Sequence, residues 1–509
     1  MSIAEFTEKG PQSRHPAYDG CVLIPASPEY TVGDVLIGSV YRALLLDTPD
    51  SKIDLNKLAD LPSKLGDEVA WRHILQRALK APARFKGEKW EDIIPLVPRL
   101  AAHGAVLGAQ RNRWMPGRLA AAALCAGVDS QRSRDYLEGL ASSLQVTGDD
   151  EIAARVIQES LEKGDGLDIA SPASILVPPA ALWRGVKSEP LTPGERLVAD
   201  IDALISVKAI LPRHQWNVLV QAVLRVGVAS YQLWLCMLHD ALWARLCAVV
   251  DEGTDPPTGE EIEQRWCAEH AGNRPLLELG EDATEAVKAH IARYAVARAG
   301  INLTLHALDD AAATWQGQLG VPGDGTDTPC EALAAFVAHV SGHREALLVA
   351  LRAAGHGSGL RRAGHAIADS DSRYISSDAG TTKNLREFLR FVLGQASRKR
   401  GDFEAFDQAY LTRPVNRSTN AHQVVRPGST MLVALAVCTA RAGGDLPASM
   451  QDLAAHLRDY GIYAPLGTLT DGTIGRELEQ LGLAVETPDA GGGRLLINPF
   501  SPPASSDNP

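Results

Sequence analysis

Cys236-x-x-His239 and Cys267-x-x-His270 each place a thiol and an imidazole three residues apart. At that spacing the two groups share one face of a helix, and two such helices crossing would supply the four ligands of a tetrahedral zinc site. The same residues also suit a plain interior. Cys236 and His239 lie in an apolar stretch with Trp234 and Trp243, where a buried thiol and a hydrogen-bonded imidazole are ordinary core groups. His339 and His343 are four apart with no acidic third ligand at motif spacing, which points to a helix surface. His356-Gly357-Ser358-Gly359 has the glycines of a phosphate cradle but no apolar strand before it, so a turn is the simpler reading. Asp369-Ser370-Asp371 pairs two carboxylates without a further acid at cation-binding spacing. The sequence carries no P-loop, no dinucleotide-binding glycine motif, no HExxH and no nucleophile elbow. A non-enzymatic protein with no cofactor is therefore expected.

Charge offers a different chemistry. The chain is acidic, with 50 Lys and Arg against 62 Asp and Glu and a formal charge of −12. Between His356 and Thr430 the sign reverses, with twelve basic residues against seven acids. Such a local reversal is the footprint of a nucleic-acid-facing segment. Its candidate phosphate contacts are Arg361, Arg362, Lys383, Arg386, Arg390, the run Arg398, Lys399, Arg400, then Arg413 and Arg417. Asn384 to Gln395 predicts an amphipathic helix with Leu385, Phe388, Leu389 and Val392 inward and Arg386 and Arg390 outward. Arg398, Lys399 and Arg400 would follow its C-terminal end, where cations also complement the helix dipole.

The elements that must position these groups read as helical almost throughout. Helices are predicted over Val32–Leu46, Asp67–Leu79, Trp90–Leu107, Gly117–Ala126, Ser130–Leu144 and Asp149–Leu161. Proline-rich Ser171–Pro193 reads as a linker. Further helices follow over Gly194–Ile210, a long pair across Arg213–Val250, then Gly259–Ala271, Glu281–Ala299, Asn302–Gln318 and Cys330–Ala353. Gly355–Thr382 is rich in Gly, Ser and Asp and reads as a mobile loop. Six tryptophans, Trp183, Trp216, Trp234, Trp243, Trp266 and Trp315, cluster centrally and are expected in the core.

The C-terminal residues have the most specific pattern. Met431–Arg441 and Met450–Tyr460 are apolar-faced helices, and a third runs from Thr473 through Ile474, Leu478 and Leu481. Leu483–Thr487 and Arg494–Ile497 flank Gly491-Gly492-Gly493 in the manner of a β-hairpin. Helix, helix, helix, hairpin resembles the winged helix-turn-helix superfamily, and GRELEQLGLAVETPDAGGGRLLI resembles its third helix and wing. The resemblance covers about one seventh of the chain, residues 431–500. It implies a third helix that enters the major groove, with Arg476 and Arg494 as further nucleic-acid contacts. The pattern departs in its charge, since from Met431 onward there are four basic residues against nine acids, which also suits a protein-docking unit.

The expectation is a mainly α protein, a multi-helical body with a C-terminal winged helix carrying a small β-hairpin. Its predicted divisions are an N-terminal helical domain (1–170), the linker (171–193), a central helical domain (194–354), the loop and basic segment (355–430), the winged helix (431–500) and a disordered tail (501–509). Function is expected to be that of a DNA-associated adaptor or subunit of a larger bacterial complex, in antiviral defence or mobile-element biology. The alternatives are a kleisin-like scaffold that docks protein, and a helical metalloprotein built on Cys236, His239, Cys267 and His270. The partners implied are DNA and a protein in a hetero-complex. Leu219–Val250 is apolar but broken by Arg225, Gln232, His239, Asp240 and Arg245, so no membrane span is expected. The N-terminus lacks a signal pattern, and seven cysteines without paired CxxC spacing suit reduced thiols, so a cytoplasmic location is expected.

Overall fold

The computed structural model describes residues 2–9, 15–18, 36–45, 97, 116–128, 132–162, 191–264, 275–320, 328–357, 359–370, 380–394, 409–416, 421–442, 448–486 and 494–500. The protein is mainly helical with a few short strands. Its helices are α1 (Ile3–Lys9), α2 (Leu36–Leu45), α3 (Pro116–Ala126), α4 (Ser133–Leu144), α5 (Ile152–Glu162), α6 (Pro193–Ser206), α7 (Arg213–Cys247) and α8 (Ala283–Asp310). These are followed by α9 (Pro329–Gly342), α10 (Arg344–Ala353), α11 (Leu360–Ser370), α12 (Gly380–Leu393), α13 (Ser429–Ala442), α14 (Met450–Asp459), α15 (Leu466–Thr470) and α16 (Thr473–Gln480). The helices expected over Asp67–Leu79 and Trp90–Leu107, most of the 171–193 linker and the 501–509 tail lie outside the described residues.

α7 is the pillar of the core. Thirty-five residues at 1.5 Å each give a rod about 52 Å long. It is one helix where the sequence suggests a pair, and it carries apolar side chains nearly all round because α6, α8, α12 and α13 pack against it. Together with the turn that ends it, α7 is long and apolar enough to cross a membrane, yet 72% of its apolar window is buried within the protein. Trp216, Trp234 and Trp243 of this helix are buried as expected.

α8 likewise replaces two expected helices. Gly300, which reads as a break in the sequence, is instead a packing position, since a Cβ there would lie 2.4 Å from the Trp243 ring. A Cβ at Gly364 of α11 would meet the same indole at 2.5 Å. Three helices thus close on one side chain, and glycine is what lets them approach. α11 itself occupies a segment read from sequence as a loop. Its first amides are capped from afar, with Asp251 accepting from the N–H groups of Leu360 (2.6 Å) and Arg361 (3.0 Å), while Leu360, Ala363 and Ile367 are buried. The single helix expected over Cys330–Ala353 is divided at His343 into α9 and α10.

Among the described residues, six short strands pair two by two. β1 (Leu277–Glu278) runs parallel to β4 (Ile462–Tyr463). β2 (Thr412–Pro414) and β3 (Gln423–Val425) form an antiparallel ladder with Arg413 opposite Val424. β5 (Ala484–Glu486) and β6 (Arg494–Leu496) form the expected C-terminal hairpin. The residues before α14 lie along this hairpin, because Leu496 N–H donates to Ala448 O at 2.7 Å.

A buried polar network joins α14 to α6. Asp200 accepts from Tyr460 Oη at 2.8 Å and from His456 Nε2 at 2.9 Å, and Asp459 accepts from Arg196 Nε and Nη2 at 3.0 and 2.7 Å. All five residues are buried. Burial pushes the Tyr460 phenol well above its ordinary range, and the adjacent Asp200 raises it further. One hydrophobic cluster extends from Ile3 to Leu496 across the same junction.

Candidate nucleic-acid interface

The basic candidates are held by α11, α12, the β2–β3 ladder and the C-terminal elements. α12 forms as the amphipathic pattern requires, with Leu385, Phe388, Leu389 and Val392 buried, Lys383 and Arg386 half-buried and Arg390 exposed. Its C-terminal carbonyls are closed by buried Arg225 of α7, whose Nε donates to Val392 O at 2.6 Å. Arg361 and Arg362 are exposed on α11, and Arg361 pairs with Glu252 at 3.5 Å. Arg398, Lys399, Arg400 and Arg417 lie outside the described residues.

The C-terminal arginines divide into two kinds. Arg494 is largely buried and spent inside the protein: it donates to Thr470 O and forms ion pairs with Glu479 (2.9 Å) and Glu486 (3.2 Å). Arg426 similarly faces Glu477 at 3.5 Å. These pairs neutralise Glu477 and Glu479, two of the three acids that weigh against α16 as a nucleic-acid helix, and leave Asp471 exposed just before its first turn. What remains on its exposed side is Thr473, Arg476 and Gln480, side chains able to donate to phosphates or base edges.

Between the β2–β3 ladder and the amino end of α16 lies a cavity of about 560 Å³. Arg413, Arg426, Thr468, Thr473 and Ile474 are among its lining residues. Arg413 and two threonines line this solvent-open concavity, with Arg426 held at its edge by Glu477, and a guanidinium with hydroxyls beside it is the donor set a phosphate-sized anion takes. Arg413 and Arg426 both belong to the basic segment legible from local charge, although Arg426 is not among its named contacts, and Thr468 carries no sequence signal. They reach the cavity only through the β2–β3 pairing and the α15–α16 turn, which no local pattern announces. Tyr410, nearby, has its phenol pushed up by burial, although Arg413 beside it pulls the other way.

The remaining sequence candidates resolve differently. His239 donates from Nδ1 to Leu235 O at 2.8 Å and accepts at Nε2 from Tyr18 Oη at 2.8 Å, so both ring nitrogens are committed. Burial pushes this imidazole down to about 3 and raises the Cys236 thiol far above its ordinary range. Neither group presents the open lone pair that a metal needs. Cys267 and His270 lie outside the described residues. His15, His306 and Asp309 bring one donor atom each within 4.8 Å of one another. His15 Nδ1, however, accepts from Ala17 N–H at 3.0 Å, which fixes the proton on Nε2 and directs it at Asp309 Oδ2, 2.9 Å away. This contact latches the N-terminal segment onto α8. Burial alone would raise the Asp309 carboxyl, but the His15 and Thr314 hydrogen bonds outweigh it and hold the group below the usual carboxylate range. His339 Nε2 donates to Ala313 O at 2.7 Å and His343 Nδ1 to His339 O at 2.9 Å.

No family model matches the chain, and no curated protein matches it.

Proposed function

We propose that the protein is a non-enzymatic, DNA-associated adaptor or subunit of a larger bacterial complex, and that α13 to β6 form a winged helix. The reading is carried by the arginine-lined cavity beside the amino end of α16, whose exposed face bears Arg476 and Gln480. Phosphates would be held by Arg413 and by the basic segment around Arg386, Arg390, Arg398, Lys399 and Arg400, while Arg476 and Gln480 approach base edges. The acidic remainder of the chain would repel the duplex and leave its helical faces to a protein partner.

The test is fluorescence anisotropy of the full chain with duplex and single-stranded DNA across a salt series. Affinity should fall linearly in log salt. Reversing Arg398, Lys399 and Arg400 to Glu should reduce binding and flatten the salt slope, and Arg476→Ala should weaken binding to duplex. Absence of binding at low salt would sink direct DNA contact by this chain.

A second reading, a scaffold that docks protein, has its own support. An apolar groove of about 330 Å³ lies along α14 and β4, lined by Ala454, Ala455, Ile462, Tyr463 and Leu466. Tyr463 and Leu466 are exposed there, 53% and 42% accessible. Stoichiometric co-purification of a protein partner without nucleic acid, lost in Tyr463→Ala, would favour this reading.

A further inference from the structure

Three donors meet where the β2–β3 ladder crosses the start of α8. One atom each from Asp282, Glu285 and His422 lies within 4.8 Å of the others, although His422 is remote in sequence from the two acids. We propose that these residues bind one divalent transition-metal ion of the zinc class, stapling the β2–β3 ladder to the amino end of α8.

Backbone pairing fixes the donors on both sides. Asp282 caps α8 through Oδ1, which accepts from Thr284 N–H at 2.8 Å, so Oδ2 is directed outward. The same residue forms an isolated antiparallel bridge with Val424. His422 is anchored by its neighbours: its carbonyl accepts from Val415 N–H at 3.0 Å, and Gln423 N–H donates to Thr284 Oγ1 at 2.8 Å. Its ring Nδ1 already points at Asp282 Oδ2, 2.8 Å away. Glu285, three residues on from Asp282, shares its helical face.

Tautomer chemistry separates this site from the other histidines. An imidazole that binds metal through one nitrogen must carry its proton on the other. For His239 and His15 that exchange would break a hydrogen bond inside the protein. His422 is 60% exposed, so the proton can move from Nδ1 to Nε2 and be received by water. One nitrogen and two carboxylate oxygens at about 2.0–2.2 Å from zinc stand about 3.4 Å apart in tetrahedral geometry, with the fourth position left to water. The contraction from the present spacing falls mainly on Glu285, an exposed side chain whose Oε1 lies 2.6 Å from Lys288 and whose carboxylate can turn to the ion. Glu278 and Glu281 add negative charge nearby, which offsets the positive end of the α8 dipole.

The test is calorimetric titration of the chelator-stripped full chain with Zn²⁺, and visible absorption with Co²⁺. The wild type should bind an ion that His422→Ala loses, together with a metal-dependent rise in melting temperature. Outer-shell partners alone are worth about 10–100-fold in metal affinity, so losing a direct ligand should weaken binding at least about tenfold. Asp282→Asn keeps the helix cap and should weaken binding with the metal-free melting temperature little changed, which separates ligation from folding. The cobalt spectrum should lack a thiolate charge-transfer band. Equal affinity in wild type, His422→Ala and Asp282→Asn, a thiolate band that accounts for all the bound ion, or no binding at all would overturn the proposal.

Discussion

Replacing Asp200 by Ala should loosen the junction between α6 and α14 more than any single surface change. The substitution removes the acceptor of Tyr460 Oη and of His456 Nε2, and one carboxylate of the pair facing Arg196, whose Nη1 lies 3.6 Å from Asp200 Oδ1. A buried donor left without a partner costs about 1–3 kcal/mol, and here two are stranded. Arg196 keeps its two bonds to Asp459, so the charge term is only partly lost. The two donors together give about 2–6 kcal/mol, which brackets the ~3–5 kcal/mol found when one member of a buried ion pair is removed. Against a typical stability of about 5–15 kcal/mol, that is a large fraction. Asp200→Asn keeps one acceptor oxygen and should lose roughly half as much. Urea unfolding followed by far-ultraviolet circular dichroism would report the change as a lower midpoint at constant slope. Tyr460→Phe should cost about 1 kcal/mol alone and, once Asp200 is Ala, should restore part of the loss by removing a stranded hydroxyl. A loss for Asp200→Ala below about 1 kcal/mol, or full additivity with Tyr460→Phe, would refute the network as the anchor of α14.

Acid should destabilise the fold through His239 and His290, which burial holds at about 3 and about 4 against an ordinary 6.5. The unfolded chain takes up these protons while the fold excludes them, so stability falls as pH drops below about 6.5, down to those values, by up to about 1.4 kcal/mol per unit for each. A pH series of urea midpoints checks this, and a flat profile from pH 6.5 to 4.5 would contradict it. Gly364→Ala forces a Cβ against the Trp243 ring and should cost about 1–3 kcal/mol in the same assay, whereas Gly139→Ala, with open space around it, should be neutral or stabilising. Asp251→Ala removes the cap of α11 and should cost about 1 kcal/mol, with faster amide exchange at Leu360 and Arg361 as the local readout. Arg494→Ala should lower the melting temperature by breaking its contacts to Thr470, Glu479 and Glu486, and its effect on DNA binding should scale with that unfolding rather than with the salt slope.

Helical periodicity carried most of the secondary structure into view, because it is a local signal. The apolar faces of α12, α13, α14 and α16 recur every three or four residues, and their positions follow directly. Two of the misreadings have long-range causes. Gly300 reads as a helix break until Trp243 is known to lie against it, and the Gly355–Thr382 stretch reads as a loop until Asp251, more than a hundred residues away, supplies the cap for α11. Segment charge is altered by distant partners in the same way. The count from Met431 onward is acidic, but Arg426 and Arg494 arrive from other elements to pair with Glu477 and Glu479 of α16. The pairings shift the balance on the exposed side of α16 toward Arg476 while taking Arg494 out of the set of phosphate contacts. Net charge over a segment therefore says less about nucleic-acid contact than the difference between charges paired inward and charges facing water.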